Sequence, residues 1–179
     1  MRAHPQRAIE QHARRPDTRW PTSIQSLLKR VADVARPKLD ASRIALTLDA
    51  VGDLPSVEAD SEELELAILN LVNNSLDAMP QGGTLSVRAS ESAGKVRIDI
   101  TDSGSGIAPE LLPRIFDPWV TTKAAGRGTG LGLSITRDVI TRHGGSITAE
   151  SEPGRTTVTI FLPAAESRPA TAHVENSDS

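Results

Sequence analysis

Residues 60–79 read DSEELELAILNLVNNSLDAM, and the fold can be worked out from this segment. Its apolar residues recur every three or four positions, which is the spacing of one face of an α-helix. Asp60 or Ser61 is the expected N-cap, with Glu62 and Glu63 favourably placed in the first turn. A proline and two glycines directly after the segment end the helix. The stripe predicted to be buried is Leu64, Ala67, Ile68, Leu71, Val72 and Ser75.

Shorter patterns on either side of this helix predict a sheet and two more helices. The spacing from Ile24 predicts a helix that stops before Pro37, and the spacing over 131–142 predicts another. Alternation of apolar and polar residues indicates strands, two of which form an antiparallel hairpin around the Ala93-Gly94 turn. The strands are expected at 44–48, 84–89, 96–100, 147–149 and 158–162.

The order of these elements predicts the fold class. It is helix, strand, helix, hairpin, a long irregular segment, helix and two strands. Such an order favours an α/β (α+β) two-layer sandwich, with a mixed five-stranded sheet and three helices on one face. An irregular segment of this length is uncommon in a compact domain unless it has a task such as covering a ligand.

The whole chain has room for one compact domain with tails. Its 179 residues are too few for two ordinary domains. Segments 1–21 and 164–179 lack a hydrophobic stripe and are expected to be tails, the second of them disordered, which leaves the domain at 22–163. No segment has the apolar length of a spanning helix or a signal peptide, so the default expectation is a cytoplasmic protein without membrane contact.

Charge and cysteine content exclude several function classes. The formal net charge is −3, whereas binding to a phosphate backbone normally needs a concentrated basic face, so nucleic acid is not the expected partner. Cysteine is absent, which excludes disulfides, thiol catalysis and cysteine-ligated zinc.

The motif Asp102-Ser103-Gly104-Ser105-Gly106-Ile107 follows the third predicted strand. A carboxylate at the end of a strand can accept hydrogen bonds from an exocyclic amine such as that of adenine. The glycines let the backbone approach a flat ring, because no Cβ stands in the way. Taken alone, the motif is equally compatible with a tight turn.

A glycine-rich segment, Gly126-Arg127-Gly128-Thr129-Gly130-Leu131-Gly132-Leu133, runs directly into the third predicted helix. Unpaired N–H groups at a helix start, together with the helix dipole, form a phosphate site. The segment is not a Walker loop, because the G-x-x-x-x-G-K-[ST] pattern is absent, and no strand leads directly into it as a Rossmann fingerprint requires. A flexible linker is the alternative.

Asn70 and Asn74 lie four residues apart and therefore share one helix face. Amides beside an apolar stripe need polar partners, and an amide oxygen is a suitable ligand for Mg²⁺ next to substrate phosphates. For either asparagine alone, a hydrogen bond to a neighbouring loop is the simpler interpretation.

Together, these three motifs closely resemble the catalytic ATP-binding domain of bacterial two-component sensor histidine kinases, a branch of the superfamily that includes gyrase, Hsp90 and MutL. The resemblance covers about residues 22–163 and includes an F box, Ile115-Phe116-Asp117-Pro118-Trp119-Val120-Thr121-Thr122-Lys123, and a C-terminal signature from His143-Gly144-Gly145 to Thr157. Details of the motifs look most like the nitrogen-regulatory and oxygen-sensing subgroup. The resemblance implies a Bergerat fold with a flexible ATP lid, and ATP and Mg²⁺ as cofactors.

The resemblance also implies roles for individual residues. Asp102 would bind the adenine amine, Asn74 would ligate Mg²⁺ with Asn70 beside it, and Lys123 and Arg127 would reach the β- and γ-phosphates. Asn70, Lys123 and Arg127 are thereby the candidate catalytic residues. The further nucleotide-binding candidates are Gly104, Gly106, Ile107, Gly128, Thr129, Gly130, Leu131 and Gly132.

Two positions depart from the family pattern. Trp119 stands where many relatives have phenylalanine, which is conservative. Asp77 stands where some kinases carry a basic phosphate ligand, so the triphosphate charge depends more on Mg²⁺, Lys123 and Arg127. His143 follows a helix and precedes two glycines, which favours a structural role at the helix end over chemistry.

The chain lacks the helical segment whose histidine receives the γ-phosphate in complete histidine kinases, although residues 1–21 could be a remnant of its second helix. The expected partners are therefore a phosphoacceptor histidine domain, in cis or in trans, and a response regulator. Two alternatives stay open: a Ser/Thr kinase like the anti-sigma factors, and an ATP-gated binding module that transfers no phosphate.

Overall fold

A computed structural model describes residues 19–121 and 129–165. Its helices are α1 (Ile24–Ala41), α2 (Ser61–Ala78) and α3 (Gly132–Arg142). Its strands are β1 (Trp20–Thr22), β2 (Ile44–Ala50), β3 (Val57–Ala59), β4 (Gly83–Ser92), β5 (Lys95–Asp102), β6 (Ser146–Glu152) and β7 (Arg155–Pro163). None of the helices in the described ranges combines the length and apolar character needed to cross a membrane.

Five strands form one mixed sheet in the order β2-β4-β5-β7-β6. β2 runs parallel to β4, and every other pair in the sheet is antiparallel. One hydrophobic cluster joins the buried stripes of the three helices to buried residues of the sheet. The predicted two-layer architecture with a mixed five-stranded sheet and three helices is therefore confirmed.

The helix predicted from residues 60–79 forms as expected. Asp60 is its N-cap, and its Oδ1 accepts hydrogen bonds from the backbone N–H groups of Glu62 (3.0 Å) and Glu63 (3.1 Å). The six residues of the predicted stripe are the buried residues of α2. Because the cap and the stripe lie within one short segment, local spacing was sufficient to identify both.

The prediction that α1 stops before Pro37 is wrong, because the helix continues to Ala41 with Pro37 inside it. Proline has no N–H group to donate to the preceding turn, which makes this position unfavourable for a helix. Leu39 lies one turn after buried Ala35 and is only 1% exposed. Its burial on the same face favours continuation of the helix past Pro37.

The β4–β5 hairpin closes where the Ala93-Gly94 pair predicted it. Both turn residues have positive φ, 50° for Ala93 and 71° for Gly94, as the tight turns of two-residue hairpins require.

A second, two-stranded sheet was not predicted. It pairs β1 with β3 in antiparallel orientation, with Trp20 opposite Ala59. The sequence suggested that the domain starts at residue 22. β1 begins two residues earlier, at Trp20. Three-residue strands are too short to show an alternating pattern, and their pairing is long-range.

Candidate functional site

A cleft of about 300 Å³ lies between α2, the loop after β5 and the start of α3. Eight of the residues selected from the sequence line it: Asn70, Asn74, Asp102, Gly106, Ile107, Thr129, Gly130 and Gly132. Lys123, Arg127 and Gly128 lie outside the described residues. The three separate sequence motifs therefore meet at one cavity, and its size is within the usual range for small-molecule sites.

Asp102 ends β5 and is 6% exposed. Its Oδ1 accepts a hydrogen bond from the Gly104 backbone N–H (2.9 Å), and its Oδ2 accepts one from the Ser75 hydroxyl (3.0 Å). Burial raises the pKa of Asp102 because desolvation disfavours the charged carboxylate, while the hydrogen bonds from Gly104 and Ser75 lower it. One hydrogen bond to each oxygen thus fixes the orientation of the carboxyl group. Each oxygen still has a lone pair that can accept a hydrogen bond from a ligand.

The loop after β5 is held against the end of α2. The Ser105 backbone N–H donates to the Ala78 carbonyl oxygen (3.1 Å). A Cβ on Gly104 would lie 2.7 Å from Ala78 Cβ and 2.7 Å from Asp102 Oδ1, so only glycine fits this approach without a shift. The Ile107 backbone N–H donates to Ser151 Oγ (2.8 Å), which ties the loop to β6 as well. These contacts place Gly106 and Ile107 in the cleft wall.

Asn70 joins α2 to α3. Its Nδ2 donates a hydrogen bond to Thr136 Oγ1 (2.9 Å), and this fixes the orientation of the amide. A Cβ on Gly132 would lie 2.7 Å from Asn70 Oδ1, so glycine allows the start of α3 to approach the asparagine closely. Asn74 lines the same cleft one turn further along α2. Amide oxygens on one helix face fit the oxygen ligand chemistry of Mg²⁺.

The start of α3 forms the opposite wall. Its N-cap residue is Leu131, whose side chain has no hydrogen-bonding group to cap the first backbone N–H groups. The Leu131 N–H itself lies 3.3 Å from Thr129 Oγ1, which accepts its hydrogen bond. A helix start of this kind favours negative charge through both its N–H groups and its dipole.

One contact ties the F box to the glycine-rich segment, and a second ties it to α3. The Trp119 backbone N–H donates to the Gly130 carbonyl oxygen (2.8 Å), with Trp119 itself at a φ of 69°. Asp117 Oδ1 lies 3.7 Å from Arg137 Nη1. The F box and the glycine-rich segment are therefore in direct contact at the cleft, although they are separate in the sequence.

Sequence reasoning did not identify all of the residues that form the cleft. Ser75 was assigned to the apolar stripe, whereas its hydroxyl bonds Asp102. A polar residue within that stripe was the available signal. Thr156 lies opposite Asp102 in the β5–β7 register and lines the cleft, and only the tertiary pairing of these strands brings it there.

His143 lies at the C-terminus of α3, away from the residues that line the cleft. Its Nε2 accepts a hydrogen bond from the Asp60 backbone N–H (3.0 Å), and its Nδ1 is 2.7 Å from the Val139 carbonyl oxygen. Donation to that carbonyl requires the proton on Nδ1 and leaves Nε2 as the acceptor. Nε2 thus joins the end of α3 to the start of α2, while Nδ1 bonds within α3, and this is the structural role expected for His143.

Known proteins share this sequence pattern and this fold. The family described as "Histidine kinase-, DNA gyrase B-, and HSP90-like ATPase" matches residues 59–166. The sensor histidine kinase ZraS of Escherichia coli is 39% identical over 141 residues, which are 78% of this chain and 30% of ZraS. The sensory histidine kinase/phosphatase NtrB of Vibrio alginolyticus is 34% identical over 162 residues, which are 83% of this chain and 45% of NtrB. The chain thus spans less than half the length of these relatives.

Solved structures of histidine kinases have the same fold as this chain. The catalytic domain of the histidine kinase ThkA has a TM-score of 0.74 at 30% identity, over 82% of this chain and 95% of that domain. Full-length ShkA in complex with AMPPNP has a TM-score of 0.75 at 29% identity, over 83% of this chain and 31% of ShkA. The chain therefore belongs to the histidine kinase-, DNA gyrase B- and HSP90-like ATPase family, as a catalytic domain of the sensor histidine kinase type.

Proposed function

We propose that the chain binds Mg-ATP in this cleft and transfers the γ-phosphate to a histidine of a phosphoacceptor domain in two-component signalling. The observation that carries the proposal is the pairing of two features in one cavity: the buried carboxylate of Asp102 and the start of α3. The first suits an adenine amine, and the second suits phosphate oxygens. The complex of ShkA with AMPPNP, a structure of the same fold, supports a nucleotide as the ligand.

The amide-lined face of α2 supports a role for Mg²⁺. Asn74 Oδ1 would coordinate the ion, and Asn70, held by Thr136, would position the neighbouring phosphate oxygens. A bound Mg²⁺ would neutralise charge that develops during phosphoryl transfer. In the same proposal, Lys123 and Arg127 contact the β- and γ-phosphates, while Gly128, Thr129, Gly130 and Gly132 supply backbone contacts. Gly104, Gly106 and Ile107 shape the adenine end, and Leu131 contributes its backbone at the start of α3.

Transfer requires an acceptor outside this cleft, because none of the described residues that line it is a histidine. In the proposed step, a histidine nitrogen forms a bond to the γ-phosphorus while the bond to the β–γ bridging oxygen breaks, and ADP leaves. Positioning and charge neutralisation are then the main contributions of this chain. ThkA has been solved in complex with the response regulator protein TrrA, which supports a response regulator as the downstream partner here.

The adenine assignment is tested by replacing Asp102 with asparagine. Asp102→Asn changes an acceptor-only group into one that also presents an N–H donor to the amine, and we expect ATP affinity to fall more than tenfold, or over about 1.4 kcal/mol. Asp99→Asn is the matched control, because Asp99 lies on the same strand but bonds Arg97 and Thr159 outside the cleft. Titration calorimetry with Mg-ATP measures both variants. Unchanged affinity in Asp102→Asn would refute the adenine assignment.

Phosphotransfer is tested with γ-labelled ATP, Mg²⁺ and a separate phosphoacceptor histidine domain. Label on that domain that is lost in acid supports histidine phosphorylation. Acid-stable label on a serine or threonine would favour the Ser/Thr kinase alternative. ATP binding without transfer to any supplied acceptor would favour the ATP-gated binding module.

A further inference from the structure

Two polar side chains are buried on α3, and they form different kinds of hydrogen bond. Ser134 and Thr136 are 5% and 1% exposed. The Ser134 hydroxyl donates to the Leu131 carbonyl oxygen (2.9 Å), which is a contact within the start of the same helix. Thr136 Oγ1 instead accepts a hydrogen bond from Nδ2 of Asn70 on α2 (2.9 Å). The Thr136 hydroxyl therefore links the two helices that form opposite walls of the cleft.

Threonine is not a residue that a buried helix position favours. Its branched Cβ restricts the side chain in a helix, and a buried hydroxyl needs a hydrogen bond to offset the loss of water. Valine has nearly the same shape and would fill the space without this requirement. The polar side chain of Thr136 is consequently best explained by the contact that it makes with Asn70.

The amide of Asn70 contacts α3 at a second point. A Cβ on Gly132 would lie 2.7 Å from Asn70 Oδ1, 3.1 Å from its Nδ2 and 3.2 Å from its Cγ. Gly132 and Thr136 are four residues apart and therefore lie on the same face of α3. The amide thus lies against the backbone of Gly132, while its nitrogen is bonded to Thr136 one turn later. Without the Thr136 hydroxyl, only the steric contact remains, and it does not fix the rotation of the amide.

The position of this amide matters for the proposed transfer. Asn70 lies one turn before Asn74, the proposed ligand of Mg²⁺, and both residues line the cleft. Gly132 begins α3, whose N–H groups suit phosphate oxygens. Asn70 therefore lies between the proposed metal site and the proposed phosphate wall. Because phosphoryl transfer depends mainly on positioning, a small displacement of such a group lowers the rate much more than the affinity.

We propose that Thr136 is a positioning residue for phosphoryl transfer and acts through the amide of Asn70. Thr136 is not among the described residues that line the cleft, so it does not itself contact the nucleotide or the metal ion. The inference rests on the proposed function. Its consequence is that the Thr136 hydroxyl affects the rate constant of transfer and leaves the affinity for Mg-ATP nearly unchanged, because Asp102 and the start of α3 still hold the nucleotide.

The test compares Thr136→Val with Thr136→Ser in the full chain. Single-turnover reactions with saturating γ-labelled ATP, Mg²⁺ and a separate phosphoacceptor histidine domain give the rate constant, and titration calorimetry gives the Kd of Mg-ATP. We expect Thr136→Val to lower the rate constant about tenfold, with a change in Kd of less than about twofold. Thr136→Ser keeps the hydroxyl but loses a buried methyl group, so it should lose stability and yet keep the rate constant within about twofold of the parent value. This combination distinguishes positioning from a general loss of packing.

Two further variants trace how the effect reaches the cleft. Thr159→Val is the matched control, because the Thr159 hydroxyl donates to Asp99 Oδ1 (2.7 Å) outside the cleft lining, and its loss should leave the rate constant unchanged. In an Asn70→Ala background the contact with Thr136 no longer exists. Adding Thr136→Val to that background should therefore lower the rate constant no further.

Three results would overturn the inference: a parental rate constant in Thr136→Val, an equal fall in Thr136→Ser, or the same fall with and without the Asn70 amide. An equal fall in the Thr159→Val control would also overturn it, because the effect would then follow from the loss of any hydroxyl. Absence of transfer by the parent chain despite ATP binding would instead refute the proposed transfer function, and this inference with it.

Discussion

Burial in the fold favours the protonated form of Asp102, whereas the proposed contact with the adenine amine uses the charged carboxylate. Desolvation raises its pKa above the ordinary value of 3.8, so the folded protein holds the proton more tightly than the unfolded chain does. The resulting stabilisation is fully present below 3.8 and is lost as the pH rises through the folded-state pKa. Above the folded-state pKa the carboxylate is charged and its burial costs stability, which is consistent with a group selected for binding.

The Asp102→Asn variant makes this cost measurable. An amide can still accept from the Gly104 N–H and donate to Ser75 Oγ, but it does not titrate. We therefore expect the free energy of unfolding of the variant, relative to the parent, to increase as the pH rises from about 4 to 7 in urea denaturation experiments. A difference between Asp102→Asn and parent that is constant with pH would contradict the assigned effect of burial.

At the scale of single elements, α1 carries an internal proline that its packing does not require. Pro37 is exposed and cannot donate a hydrogen bond to the turn before it, whereas buried Ala35 and Leu39 keep the helix on the core. We expect Pro37→Ala to raise the free energy of unfolding by about 1–2 kcal/mol, since the gain in helix geometry outweighs the greater freedom of the unfolded chain.

Urea denaturation measures this change, and Val34→Ala provides the control on the same helix. Val34 is 58% exposed, so its truncation should change stability by no more than about 0.5 kcal/mol. ATP affinity should be the same in both variants, because neither residue lines the cleft. Destabilisation by Pro37→Ala would show that the proline contributes more through the unfolded chain than it costs in the helix.

At the scale of the whole molecule, the cleft is built from elements that share one core. α2, β5 and α3 each contribute to the cleft and to the hydrophobic cluster. Ligand binding to the cleft should consequently stabilise the entire described fold and not only a loop. Mg-ATP at one hundred times its Kd is expected to raise the free energy of unfolding by about 2.7 kcal/mol.

Thermal unfolding with and without Mg-ATP measures this coupling. At the same nucleotide concentration, Asp102→Asn should lose at least about 1.4 kcal/mol of the stabilisation, in line with its weaker binding. An equal shift in the variant and the parent would place the nucleotide elsewhere on the molecule.

Local sequence alone was sufficient for much of the fold. The α2 stripe, the Asp60 cap and the Ala93-Gly94 turn each depend on residues a few positions apart, and all three form as predicted. The order of these elements was sufficient for the two-layer class, because an amphipathic helix and a half-buried sheet have few ways to cover each other.

Only the tertiary structure decided how the site is assembled. The hydrogen bond between Ser75 and Asp102 spans 27 residues, and the one between Asn70 and Thr136 spans 66. The continuation of α1 past Pro37 and the pairing of β1 with β3 were likewise decided by packing and by long-range pairing. Periodicity describes which face of an element is buried, but it does not specify which distant residue meets that face. The chemistry of the cleft therefore depends on contacts that no local pattern encodes.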